Sequence, residues 1–389
     1  MIFAREITNE LLNAAKSYPV VTVIGPRQSG KTTLVRNTFP DLQYVNLEAP
    51  DIRQFAQNDP RAFLSRYTTN GVILDEIQRV PELLSYIQVI VDETKVFGKF
   101  ILTGSHQLML HQAITQSLAG RTSLLTLLPM TISELTNAQF NLDIDQYMLN
   151  GCFPRIYADN LTPIKTYRNY FQTYIERDVR QMINIKDINL FEKFIRICAS
   201  RIGQVINKDG MANELGMSAA TVTQWLSILK ASFVIFMLPP YFENFGKRMI
   251  KASKLYFTDT GLAAYLLGIE NTQQLSRDPL RGFLFENLVI LELVKTRLNM
   301  GLDTGLYFYR DSNQNEIDVI YKSGHELLPI EIKSAQTFDP TFLRGLNFYQ
   351  NLTKDRVSKK YLIYSGSYEQ EIGDTHIINY KNARFIVGG

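Results

Sequence analysis

Along the first 130 positions, apolar residues come in short runs separated by stretches of helical spacing. This is the pattern of a parallel sheet whose strands are buried on both faces. The runs are Val20–Ile24, Gln43–Leu47, Gly71–Leu74, Lys99–Leu102 and Ser123–Leu128. Ahead of them, MIFAREITNELLNAAKSYP carries Arg5, Glu6, Glu10 and Lys16 among its apolar residues, which predicts an amphipathic helix and not a secretion leader. From about 131 to 230 the period is helical, with no strand-like run. Residues 231–258 predict a β-hairpin with basic flanks. From about 281 a helix precedes three strand-like runs, 305–310, 316–321 and 327–332, then a helix near 341–351 and a strand at 360–364.

These elements predict a multidomain α/β chain. A parallel-sheet domain spans 1–130, a helical lid-like region 131–200, a helix-turn-helix unit 201–260 and a second α/β domain 281–389. The chain's 389 residues can fill several cores, and 45% hydrophobic with 20% charged residues excludes wholesale disorder. A formal charge of +3 implies no nucleic-acid partner by itself, so any basic footprint has to be local. No apolar stretch reaches bilayer length without a charge; the most apolar, ASFVIFMLPPY at 231–241, is too short and holds two prolines. Cys152 and Cys198 have neither CxxC spacing nor histidine partners, so they predict buried thiols in a reducing compartment, the cytoplasm.

Candidate chemistry enters at residues 25–32, GPRQSGKT, a complete G-x-x-x-x-G-K-[ST] after an apolar run and before a helical pattern. Gly25 and Gly30 let the backbone wrap closely, so the amides of Gly25, Pro26, Arg27, Gln28, Ser29, Gly30, Lys31, Thr32 and Thr33 (proline excepted) and the helix start face negative charge. Lys31 is expected on the β- and γ-phosphates and Thr32 on Mg²⁺. In GVILDE (71–76) a buried strand ends in two carboxylates. Asp75 is expected to hold Mg²⁺ through water and Glu76 to polarise the attacking water. The run at 99–102 ends in Thr103-Gly104-Ser105-His106, where Ser105 or Thr103 is expected to bond the γ-phosphate or the lytic water. Arg121, just before the last run, is either an arginine finger, in cis or from a neighbouring copy, or a surface ion pair.

GPRQSGKTTL, ILDEIQ, ILTGS and SLAGR, in this order and spacing, resemble the prokaryotic AAA-type ATPases known simply as ATP-binding proteins. The resemblance continues through Gly151–Pro154 (GCFP), Tyr174–Asp178 (YIERD), Ser200–Asn207 (SRIGQVIN) and Asp259-Thr260-Gly261. It extends to GFLFE (282–286), EID (316–318) and EIK (331–333). It implies an ASCE-type P-loop core with ATP, not GTP, as nucleotide; no guanine-reading N/T-K-x-D motif opposes this.

Residues 211–230, MANELGMSAATVTQWLSILK, put Ala212, Gly216, Val222 and Trp225 where a helix-turn-helix needs a small residue, a turn glycine and two core residues. Ser218 caps the second helix. With the hairpin as wing, this is a winged helix. If it meets DNA, Ser218, Ala219, Thr221, Thr223 and Gln224 face the major groove while Lys247, Arg248, Lys251 and Lys254 neutralise phosphates. The same fold also serves as a protein–protein module.

In the last domain, Glu286 lies on a helix, Asp318 on a strand, and Glu331 and Lys333 on one face of the next strand. This is the PD-(D/E)xK order of restriction-endonuclease-like folds. Glu286, Asp318 and Glu331 are expected to gather a Mg²⁺ or Mn²⁺ ion, with Lys333 polarising the nucleophile. Two functions fit the whole chain. One is an ATP-driven nucleic-acid enzyme, DNA being favoured, that binds its target and, through the last domain, cleaves it. The other is a regulatory switch whose nucleotide alters domain arrangement or homo-oligomeric state.

Overall fold

The computed structural model describes residues 1–67, 69–105, 117–179, 187–242, 252–353 and 356–388, with the backbone alone at 176–179. Strands β1 (Val20–Ile24), β2 (Gln43–Asn46), β3 (Val72–Asp75), β4 (Phe100–Gly104) and β5 (Thr122–Thr126) form one parallel sheet in the order β2-β3-β4-β1-β5. The apolar residues on both faces of β1 explain its place inside the sheet, between β4 and β5. Val20 and Ile24 pack on one apolar cluster, and Val21 and Val23 on another that includes Ile7 and Leu11 of the Thr8–Ser17 helix. Because β4 lies between β1 and β3, every loop leaving the C-terminal edge of these three strands meets its neighbours there.

Residues 132–231 are helical among the described positions, as the periodicity predicts, with a wide-turn π segment at Phe171–Val179. The helices Lys208–Leu215 and Ala219–Ala231 are joined through Gly216, whose φ of 64° suits a residue without Cβ. The hairpin is built from β6 (Ile235–Leu238) and β7 (Lys254–Phe257), which pair antiparallel. Both arms lie within the stretch 231–258 that the sequence predicts as a hairpin.

The last domain is larger in sheet than the sequence predicts. Strands β8 (Leu306–Arg310), β9 (Glu316–Ser323), β10 (Glu326–Lys333) and β11 (Lys360–Tyr364) are joined by β12 (Gln370–Ile372) and β13 (Thr375–Asn379). The last two are short and only half-buried, so alternation marks them weakly. The Arg281–Asn299 helix is apolar on most sides and links the domains directly. Its Glu292 Oε2 accepts the Ile132 amide at 2.8 Å, and its Lys295 Nζ donates to the Met130 carbonyl at 2.7 Å. One apolar cluster runs without a break from Val20 of the first sheet to Val387. Among the described residues, no helix is long and apolar enough to cross a membrane.

Candidate functional site

The turn after β1 is shaped by steric necessity. A Cβ on Gly25 would lie 2.1 Å from the Leu127 carbonyl oxygen, and Gly30 has φ 93°. The Lys31–Thr38 helix then starts with its free amides facing the loop. Lys31 folds back over that loop, its Nζ donating to the carbonyls of Gly25 (2.9 Å) and Pro26 (2.8 Å). Burial draws its pKa down to about 8, with Arg27 adding to the effect while Glu76 and Asp75 oppose it. An ammonium satisfied only by neutral carbonyls is poised for a better acceptor, and phosphate oxygens are one.

Asp75 closes β3 and accepts from Thr32 Oγ1 (2.9 Å), Tyr44 OH (2.6 Å) and Thr103 Oγ1. Thr32 and Asp75 thus form an oxygen pair suited to a hard cation such as Mg²⁺. Glu76 stands in the left-handed region (φ 57°, ψ 48°), a conformation that costs a non-glycine residue about 1 kcal/mol. It turns the carboxylate toward β4. There Glu76 Oε2 accepts from Ser105 Oγ at 2.9 Å and from Gln78 Nε2, which also reaches Ser105 Oγ at 3.1 Å. Ser105 and Thr103 thus orient the two carboxylates. The strand order places them there, since β4 lies between β1, which leads into the phosphate loop, and β3.

A cavity of about 360 Å³ opens here, lined among others by Arg27, Gln28, Lys31, Thr32, Glu76 and, from the helical region, Tyr174. A second cavity of about 620 Å³ adjoins it, lined by Met1–Arg5, Leu34, Asn37, Pro154 and Arg155. The two share Gly30 and Thr33 in their linings.

Three contributors were hidden from sequence reasoning. Tyr44, on β2 beside β3, holds Asp75; burial, then Asp75 itself, pushes its phenol pKa well above the ordinary range. Gln78 orients Glu76. Arg5 braces the loop from beneath: Nη1 donates to the Ser29 carbonyl (2.7 Å), Nη2 to Leu128 (2.8 Å) and Nε to Glu134 (3.0 Å). Only Gln78 carried a local signal, through its spacing from Asp75 and Glu76.

Arg121 does not join this site. It precedes β5, and its carbonyl accepts from the Val20 amide at the start of β1 (3.2 Å), whereas the phosphate loop follows the end of β1. It sits at the opposite edge of the sheet, paired with Asp92 at 2.6 and 2.9 Å. A finger acting within the chain is excluded by this topology, and the surface ion pair is what the fold contains.

Residues 17–136 match the family described as an AAA domain. The parallel-sheet unit is thus similar to AAA-type P-loop ATPase domains. Residues 141–273 and 281–383 match two domains of unknown function, DUF8612 and DUF4143. The chain is 28% identical over 382 residues to "Uncharacterized protein Rv2008c" of Mycobacterium tuberculosis, covering 96% of this chain and 83% of the relative. "Uncharacterized protein Mb2031c" of Mycobacterium bovis matches equally. Among solved structures, the Walker-type ATPase paby2304 of Pyrococcus abyssi covers 68% of this chain and 96% of its own, at TM-score 0.48 and 16% identity. AMPPCP-bound DnaA from Aquifex aeolicus covers 58% and 86%, at TM-score 0.31 and 15% identity.

Beyond the parallel-sheet unit, the short motifs GCFP and Asp259-Thr260-Gly261 prove to be joints. Asp259 caps the Thr260–Leu266 helix and accepts the Cys152 amide (2.7 Å) and the Tyr167 hydroxyl (2.6 Å), locking GCFP to DTG. Gly151 is needed there, because a Cβ would fall 2.0 Å from the Tyr167 hydroxyl. Cys152 and Cys198 are buried, and burial pushes both thiols up, Cys152 to about 12. In the two-helix unit, Ser218 Oγ caps Thr221 N at 3.1 Å. Thr223 and Gln224 are exposed, while Thr221 is half-buried. Lys247, Arg248 and Lys251 lie outside the described residues, as does His106.

In the C-terminal domain Glu286, Asp318, Glu331 and Lys333 do converge, but around ammonium groups. Lys333 Nζ donates to Glu331 Oε1 at 2.5 Å, and Asp318 Oδ2 accepts the Ile332 amide at 2.8 Å. Lys254 of β7 reaches in from the hairpin, 3.1 Å from Glu286 and 2.5 Å from Glu316; Tyr256 OH also donates to Glu286. Burial raises the pKa of both Glu286 and Glu331, with Asp318 adding to each. Among the described residues no group of three or more His, Cys, Asp or Glu is arranged to hold a metal ion. Glu286, Asp318 and Glu331, expected to gather Mg²⁺ or Mn²⁺, do not make such a group, and Lys254, expected on phosphate, is interior. The physical reason is that Lys254 and Lys333 already stand against Glu286, Asp318 and Glu331.

Proposed function

We propose that this chain is an ATP-driven switch, and that its nucleotide is Mg-ATP held across the two cavities. The observation that carries this reading is the convergence of Lys31, Thr32, Asp75 and Glu76 on one cavity, with Ser105 and Gln78 fixing Glu76. The loop amides and Lys31 would take the β- and γ-phosphates, and Thr32 with Asp75 would hold Mg²⁺. Bound Mg²⁺ would offset the charge that develops on the phosphate oxygens. Glu76, held 2.9 Å from Ser105 Oγ, would orient a water and take up its proton. Apolar lining by Met1–Arg5 and Pro154 suits a purine. Tyr174 and the direct bonds between 130–132 and the Arg281–Asn299 helix give a route by which occupancy can bias the other domains. Homo-oligomer formation is one form the response can take.

Phosphate release from ATP by the wild type, Lys31→Ala and Glu76→Gln tests this. Lys31→Ala should lose binding, whereas Glu76→Gln should bind ATP yet turn over about 10²–10⁴-fold more slowly. Retained hydrolysis in Glu76→Gln would remove the assigned base.

A second reading is favoured by the exposed Thr223 and Gln224 on a capped second helix. The two helices and the β6–β7 hairpin would act as a winged helix contacting DNA, cytoplasmic like the ATP it follows. Anisotropy of labelled duplex DNA across a salt series tests it. Binding weakened by Thr223→Glu/Gln224→Glu supports the reading, and salt-insensitive or absent binding rejects it. Metal-dependent scission through Lys333 finds no support in the carboxylate arrangement.

A further inference from the structure

We infer that Lys254 is the resident cation of the C-terminal carboxylate cluster, and that strand β7, which carries it, bars a divalent ion from that cluster. The inference is independent of the nucleotide reading above.

The geometry is that of an occupied site. Lys254 Nζ lies 2.5 Å from Glu316 Oε1, 3.1 Å from Glu286 Oε1 and 3.9 Å from Asp318 Oδ1. Glu316 and Asp318 stand two residues apart on β9, and Glu286 on the Arg281–Asn299 helix of the same domain. The fourth, Glu331, is taken on one oxygen by Lys333. Arg310 shares Glu316 at 3.4 Å. Only 2% of the Lys254 side chain is exposed, and an ammonium that deep is tolerated only where acceptors surround it. Phe308 adds its ring face 5.6 Å away. A divalent ion would need oxygens at about 2.0–2.2 Å from its centre, in the volume that the Lys254 ammonium fills.

The cluster nonetheless retains capacity. Glu331 Oε2 is buried and has no hydrogen-bond partner, an acceptor that a lysine-filled cluster does not use. Removing the Lys254 ammonium would leave Glu286, Asp318 and Glu331 with Lys333 as their one remaining nearby cation among the described residues, an excess of hard oxygen donors that attracts Mn²⁺ or Mg²⁺. The hairpin thus stands between a closed joint and a cation site.

The test is Mn²⁺ binding followed by electron paramagnetic resonance in nucleotide-free protein, in an Asp75→Asn background so that the phosphate-loop carboxylate cannot hold the ion. With Lys254 present, no Mn²⁺ should bind. Lys254→Gln, which keeps a donor but removes the charge, should bind a single Mn²⁺ per chain, and adding Asp318→Asn should abolish it. If Lys254→Gln does not fold by circular dichroism, Lys254→Met/Glu316→Gln keeps the charge balance and the three facing carboxylates, and should gain the same ion. Mn²⁺ bound with Lys254 in place and lost with Asp318→Asn would overturn the inference. So would a folded Lys254 variant that binds none.

Discussion

Replacing Arg5 by alanine separates the stability of the phosphate loop from its chemistry. Arg5 and Glu134 are both almost fully buried, and Glu134 also accepts the amides of Glu6 (2.7 Å) and Thr131 (2.9 Å). Truncating Arg5 leaves that carboxylate charged and unpaired, at a cost of about 3–5 kcal/mol. It also frees the Ser29 carbonyl, which loses a charge-assisted bond contributing about 1.5–3 kcal/mol. Pairing Arg5→Met with Glu134→Gln removes both charges while glutamine keeps the reciprocal cap with Thr131. The double variant should regain most of the stability but not the tie to Ser29. Hydrogen exchange in the Lys31–Thr38 and Ile132–Asn137 helices reads local stability without assuming two-state unfolding of a multidomain chain. Nucleotide titration reads the loop. ATP should bind at least about tenfold more weakly in both variants. A loss below about 1 kcal/mol in Arg5→Ala, the scale of an exposed pair, would refute the brace.

Lys31 supplies a pH prediction. Its ammonium is mostly charged below about pH 8 and loses its proton as pH rises through that value, whereas phosphate favours the charged form. ATP affinity should therefore fall about tenfold between pH 7 and 9, about 1.4 kcal/mol, measured by calorimetry; a flat profile contradicts the placement. Arg121→Ala should leave ATP turnover unchanged, because Asp92 is its partner. A loss restored by mixing with the Lys31→Ala chain would instead reveal a finger acting between copies.

What could be read from the sequence was what is local. The phosphate loop, Asp75 and Glu76 each sit within a few residues of the strand that aims them, and periodicity located the strands. Arg5 meets Glu134 across 129 positions, so no window contains both. Lys254 closes a stretch without acidic residues and so resembles a phosphate contact, yet its acids stand at 286, 316 and 318. Arg121 is a different case. In a parallel sheet, a residue entering a strand and a residue leaving its neighbour lie at opposite edges, so its distance from Lys31 was deducible from order alone.

Arg5 and Glu6 are consecutive, yet they serve different neighbours. Arg5 grips the phosphate loop, while Glu6 pairs with Arg384 Nη1 at 2.5 Å and accepts from Asn299 at 3.3 Å in the last domain. Both precede residue 17, where the match to the AAA domain begins. A graft that exchanged the domains at the family borders would discard this clasp, and would strand Glu292 without the Ile132 amide it caps. The chain is better suited to inheritance as a single piece than to assembly from interchangeable parts.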